Sequence, residues 1–221
     1  MNSVLPHITL ETGATPRHSI IWLHGLGADG EDFVPIAKEI HLPKAVRYLF
    51  PHAPQQPITI NGGYVMRAWY DILAADITSR PDSAGIRASQ AAINALIAQE
   101  MQRGIAAQNI YVAGFSQGGA MALYTGLRYP SQLGGIISLS CYLPMADTLA
   151  LEASPVSRHI PVFMAHGRSD PIVSFAAGKS SADILSKHGC PLEWHEYAMP
   201  HSVCPEEIKD IETWMTRQLN Q

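Results

Sequence analysis

Ser116 lies inside Gly114–Phe115–Ser116–Gln117–Gly118, between the apolar run 110–113 and the helix-spaced residues Ala120, Met121, Leu123 and Tyr124. A strand, a sharp turn and a helix with serine at the apex is the shape that exposes a hydroxyl nucleophile. Gly114 and Gly118 leave room for a tight turn whose backbone a side chain would crowd. The helix behind the turn aims its N-terminal amides at the reacting oxygen. The plain alternative is a glycine-rich turn with a capping serine, and so short a pattern does not decide between them alone.

A serine hydroxyl needs a base within hydrogen-bond reach and a carboxylate to orient that base. Asp170 follows the apolar run 161–166 in a turn fixed by Pro171, and His201 follows the alternating run 192–197. Taken singly they read as an Asp-Pro turn and a loop residue ahead of a helix. Taken with Ser116 they appear in the order nucleophile, acid, histidine, each beyond the end of its own strand. His24, His52 and His166 close strands or follow strand ends, and His195 lies within a strand, so none is as well placed. A developing oxyanion needs donors: the backbone N–H of Gln117 and, from the loop after the first strand, that of Leu26. The glycines of 25–30 admit a phosphate-loop reading, but no Gly-Lys-Ser/Thr follows and the spacing misses the dinucleotide fingerprint.

The elements that must position these groups can be read along the chain. Strands are expected at 19–24, 46–50, 110–115, 135–140, 161–166 and 192–197. Helices are expected at 31–40, 83–104, 117–129, 175–187 and from Pro205 onward, proline fitting the first helical position. Residues 51–84 break the regularity with Pro51, Pro54, Pro57 and Pro81. Tyr64, Trp69 and Tyr70 within that excursion suggest a folded loop forming a pocket wall. Apolar strands alternating with helices predict an α/β fold: one mainly parallel sheet, helices on both faces, ligands beyond the carboxyl ends of the strands.

The 221 residues fit a single domain spanning 1–221. With 47% hydrophobic and 15% charged residues, a net charge of −4 and no basic run, the composition argues against nucleic acid as a partner. The first ten residues lack a signal-peptide pattern and no stretch is apolar enough to span a bilayer, so a cytoplasmic location without stable membrane insertion is expected. Cys141, Cys190 and Cys204 are odd in number and widely spaced, and are expected to be reduced and mostly buried rather than disulfide- or zinc-bound. The oligomeric state is left open, a homodimer included.

Six motifs in order make the chain similar to the phospholipase/carboxylesterase family of α/β hydrolases, which includes carboxylesterases and acyl-protein thioesterases. They are His24–Gly25–Leu26–Gly27, Phe50–Pro51–His52–Ala53–Pro54, Arg67–Ala68–Trp69–Tyr70–Asp71, the Ser116 turn, His166–Gly167 with Asp170–Pro171 and Val173, and His201–Ser202. The resemblance spans the chain from about residue 17 onward. It implies an α/β-hydrolase fold without a large lid, Ser116, Asp170 and His201 as a triad, and Leu26 and Gln117 as oxyanion donors. It also implies an acyl pocket lined around Trp69 and by the Leu143 loop. Arg67–Asp71 and Cys204–Glu207 look more like the bacterial carboxylesterase branch. Met199–Pro200 stands before His201 where many members have glycine, which stiffens that loop. The expected activity is serine hydrolysis of short- to medium-chain carboxylic esters, a small-molecule substrate, with no metal and no cofactor. The alternatives are an acyl-protein thioesterase or lysophospholipase, and a non-catalytic binding module on the same fold.

Overall fold

The computed structural model describes residues 4–74 and 80–220. In chain order these form β1 (His7–Glu11), β2 (His18–Leu23), α1 (Val34–Glu39), β3 (Val46–Pro51), β4 (Gln55–Ile58), β5 (Tyr64–Arg67), α2 (Ser83–Gln102), β6 (Ile110–Phe115) and α3 (Gln117–Arg128). There follow β7 (Gly135–Leu139), the short α4 (Leu149–Glu152), β8 (Val162–Gly167), α5 (Phe175–His188), β9 (Leu192–Tyr197) and α6 (Pro205–Leu219). Seven strands make one sheet in the order β1-β3-β2-β6-β7-β8-β9. Every pairing in it is parallel except β1 with β3.

Successive residues of a strand face opposite sides, so each buried strand feeds two cores. On one face Ile21, Leu23 and Val112 pack with α2, α3 and α5; on the other Ile20, Trp22 and Tyr111 pack with α1 and α6. This double burial is why these strands read as unbroken apolar runs. The parallel arrangement puts the carboxyl ends of β2, β6, β7, β8 and β9 along one edge of the sheet. The segments holding Leu26, Ser116, Cys141, Asp170 and His201 follow those five ends.

Three expectations change. Helix α1 starts at Val34 rather than Glu31, with Pro35 in its first turn, where a missing N–H costs nothing. The excursion 51–84 is not irregular throughout: β4 and β5 pair antiparallel from Gln55↔Arg67 to Ile58↔Tyr64, and Gly62 and Gly63 make the turn at positive φ. Its residues 75–79 lie outside the described residues. Strand β1 was not anticipated; it is a half-exposed edge strand that lacks the apolar run of the buried strands.

Candidate active site

Ser116 holds φ 53° and ψ −120° between β6 and α3. A backbone so rarely populated costs on the order of 1–3 kcal/mol and persists only where its surroundings enforce it. They do so here by close approach. A Cβ on Gly118 would overlap the Leu23 carbonyl, and one on Gly114 would overlap Gly118 itself. The Ser116 N–H donates to the Leu139 carbonyl at 2.9 Å, which ties the turn to β7.

The loop after β2 lies against this turn, since a Cβ on Gly25 would stand 3.5 Å from that of Ser116. Its path is set by Gly27 N–H donating to Arg67 O at 2.8 Å and by a buried histidine. His24 Nε2 accepts from Ala53 N–H at 3.0 Å, so Nδ1 carries the proton toward Gly25 O at 2.7 Å. Burial lowers the pKa of His24, which keeps the ring neutral and this pattern intact. The N–H groups of Leu26 and Gln117 have no partner among the described residues, whereas Gly27 and Ala28 beside Leu26 are satisfied. Two such amides flanking the serine, one at a helix N-terminus, are the kind of donors that can receive a developing negative charge.

Asp170 is buried and saturated. Its Oδ1 accepts the N–H groups of Ile172 and Val173 at 2.8 and 2.9 Å, and its Oδ2 accepts from His201 Nδ1 at 2.6 Å. His166 Nε2 stands 3.4 Å from the same Oδ2 and donates to the Val173 carbonyl at 2.9 Å. Burial lowers the pKa of His166, so it meets Asp170 as a neutral dipole and not as a competing cation. With its Nδ1 proton on Asp170, His201 keeps an acceptor lone pair at Nε2. Phe115, the residue before Ser116, packs on that imidazole with centroids 4.7 Å apart. The Met199–Pro200 bend rests on Gly167, where any side chain would collide with both carbonyls.

Beside Ser116 opens a mainly apolar cavity of about 340 Å³, lined by Leu26, Tyr70, Ile72, Gln117, Tyr142 and Val173 among others. Ile60 and Ile172, both well exposed, stand among its lining residues. The expected lining residues Trp69 and Leu143 sit one position behind this surface. The Trp69 ring is 1% exposed and its Nε1–H donates to the His24 carbonyl at 2.9 Å, which turns the indole into the core. Leu143 is held by its N–H on Ser181 Oγ at 2.8 Å and faces a different hollow. Their neighbours Tyr70 and Tyr142 face the cavity instead.

The sequence reading missed the Gln117 side chain. Its Oε1 accepts from Trp69 N–H at 2.8 Å and its Nε2 donates to Tyr70 O at 2.7 Å. Gln117, whose own amide stands beside Ser116, thus also clamps the pocket wall to α3. Reading Gln117 only as a backbone donor hid this second task, although a buried glutamine must find partners for both ends.

A family model described as Phospholipase/Carboxylesterase matches residues 7–219. Among proteins of known name, acyl-protein thioesterase 1 of Gibberella zeae is 40% identical over 219 residues, covering 93% of each chain. Carboxylesterase SOBER1 of Arabidopsis thaliana is 35% identical over 209 residues, 92% of this chain and 91% of that protein. The crystal structure of SOBER1 superposes with a TM-score of 0.86 at 33% identity, covering 91% of this chain and 99% of that one.

Proposed function

The chain belongs to the phospholipase/carboxylesterase family, a hydrolase with the α/β-hydrolase fold, and from that premise we propose that it is a serine carboxylesterase acting on short- to medium-chain esters. The observation that carries this reading is the strained Ser116 turn with a free hydroxyl, on the same edge of the sheet as a histidine held by a saturated carboxylate at 2.6 Å. Ser116 attacks the acyl carbonyl, and His201 Nε2 takes its proton. Asp170 holds the imidazole in the right tautomer and stabilises it as it becomes charged. The amides of Leu26 and Gln117 receive the oxyanion. His201 then returns the proton to the leaving oxygen, and water releases the acyl group by the same steps in reverse. A cavity of about 340 Å³ is near the small end of ligand pockets, which run from about 300 to 1,000 Å³, and favours a modest acyl group. The substrate is a small-molecule ester, and the reduced cysteines fit a cytoplasmic setting.

A second reading, a thioesterase for fatty acyl groups, is favoured by the names of relatives such as the Gibberella zeae protein. The acyl-enzyme half of the reaction is the same for an alcohol or a thiol leaving group, so the distinction lies in the leaving group and acyl length.

The test is fluorophosphonate labelling read by mass spectrometry, followed by hydrolysis rates for matched oxygen esters and thioesters of increasing chain length. Labelling at Ser116 that vanishes in Ser116→Ala and His201→Ala is the expected result. Well-folded protein that stays unlabelled would sink the hydrolase mechanism and bring forward a binding role. Rates that climb only for long thioesters would move the assignment to the second reading.

A further inference from the structure

The cavity beside Ser116 shares a wall with a second hollow. That hollow, about 590 Å³, lies between the segment 142–147 and α5, with Leu143, Met145, Ala177 and Ile184 giving it apolar sides. Two features separate the compartments. Ile72 and Pro81 pair in an isolated antiparallel bridge, and Ile72 lines the catalytic cavity while Pro81 lines the outer hollow. Tyr142 lines both.

Tyr142 is fixed from two sides. Its hydroxyl lies 2.9 Å from that of Tyr70, and the next residue, Leu143, donates its N–H to Ser181 Oγ, which in turn donates to Ala177 O on α5. Burial pushes the Tyr142 phenol up to about 12 and raises that of Tyr70 as well, so both stay protonated and the hydroxyl pair persists through the working pH range. A buried ring with both ends secured is a built partition, not a side chain that drifts with the substrate.

Resting on the reading of Ser116 as an acyl-transfer nucleophile, we infer that Tyr142, latched to Tyr70, sets the acyl-length limit by ending the acyl site at the wall it shares with the outer hollow. Short acyl groups fill the inner cavity. Chains long enough to reach the wall meet the Tyr142 ring, although space with apolar sides lies directly behind it. The small volume of the inner cavity is thus set, at that end, by one side chain.

The experiment compares kcat/KM for p-nitrophenyl laurate and p-nitrophenyl butyrate. Each methylene newly housed in an apolar site is worth about tenfold, so Tyr142→Ala should raise the laurate-to-butyrate ratio by at least about tenfold over wild type. Tyr142→Phe keeps the ring and loses only the hydroxyl latch to Tyr70, so it should raise the ratio by less than Tyr142→Ala does. Ser180→Trp, at an exposed position lining the outer hollow, should cancel the gain when added to Tyr142→Ala. A Tyr142→Ala protein that hydrolyses the butyrate ester with an unchanged ratio overturns the inference, as does a gain that Ser180→Trp leaves in place. Should circular dichroism show Tyr142→Ala unfolded, Tyr142→Leu is judged by the same criteria. A folded wild type that neither hydrolyses the butyrate ester nor takes fluorophosphonate at Ser116 overturns the parent reading and this one together, an outcome distinct from an unchanged ratio in an active enzyme.

Discussion

Two buried carboxylates, at opposite ends of the sheet, show how differently one fold treats its edges. At the amino ends of the strands, Glu100 is fully buried and its oxygens are occupied: Ser19 Oγ donates at 2.6 Å, Arg47 Nε lies at 3.3 Å and Arg103 Nε at 3.5 Å. At the carboxyl ends, Asp170 is just as well satisfied, yet its third partner is a histidine whose far nitrogen has none. The chain around Asp170 is open in the same way, with a free serine hydroxyl and two free amides. Three of the four positive-φ non-glycine residues among the described residues, Ser116, Ser140 and Met145, also follow strands at that edge. Backbone strain gathers at the edge that carries Ser116, while Glu100 at the opposite edge is closed among Ser19, Arg47 and Arg103. Saturation at one end ties the fold together; at the other it fixes the orientation of one imidazole.

The sharpest way to break this contrast is Asp170→Asn. Oδ1 still accepts the Ile172 and Val173 amides, so the new NH₂ must face His201. It then donates to Nδ1, the imidazole proton moves to Nε2, and the base has no lone pair for Ser116. A fall in kcat of about 10⁴-fold is expected, with the melting temperature little changed. Ester hydrolysis alongside thermal melting checks it; a variant that keeps its rate but melts early would make Asp170 a structural residue like Glu100.

The complementary change is Glu100→Ala. It leaves Arg47, only 13% exposed at its side chain, with the Glu11 carboxylate and the Thr9 hydroxyl. Losing one partner of a buried pair costs 3–5 kcal/mol, and the low end, about 3 kcal/mol or roughly 6–12 °C in melting temperature, is expected because Arg47 and Arg103 reach water. The rate on short esters at low temperature should stay near wild type. A rate loss without a stability loss would erase the division of labour between the two edges.

How much of this was readable from sequence follows the same division. Strands buried on both faces announce themselves as apolar runs, so β2, β6, β7 and β8 were legible before any coordinates, and with them the sheet edge that Ser116, Asp170 and His201 follow. Strand β1 was not, because its alternation rests on Ile8 and Leu10 alone, two apolar residues in a five-residue stretch, which is too short to stand out as a pattern. The pocket wall was legible as an aromatic cluster but not in detail: which of Trp69 and Tyr70 faces the cavity depends on where the indole N–H finds a carbonyl, and that carbonyl belongs to His24, 45 residues away. The Gln117 clamp and the Tyr70–Tyr142 pair are likewise contacts between distant segments, and no local pattern encodes their geometry.

The subtlest test concerns a carboxylate that fits neither description. Glu207, in the first turn of α6 behind the His201 loop, is fully buried and neither oxygen reaches hydrogen-bonding geometry. Burial, with the charge of Asp210 added and only part offset by the Cys204 backbone, raises its pKa from 4.5 to about 8. Between those two values the folded protein holds a proton that the unfolded chain has lost. The stability this proton confers is therefore complete below about 4.5, declines as pH rises and is gone above about 8. Glu207→Gln keeps the shape and cannot ionise; whatever its buried carboxamide costs is the same at every pH. The melting temperature of the variant should thus gain on wild type steadily from mildly acidic to mildly alkaline pH, and parallel curves would show that Glu207 finds a partner in solution. The sign bears on the active edge too. A raised Glu207 pKa favours its neutral form behind the His201 loop, while the imidazole itself is held by Asp170 at 2.6 Å.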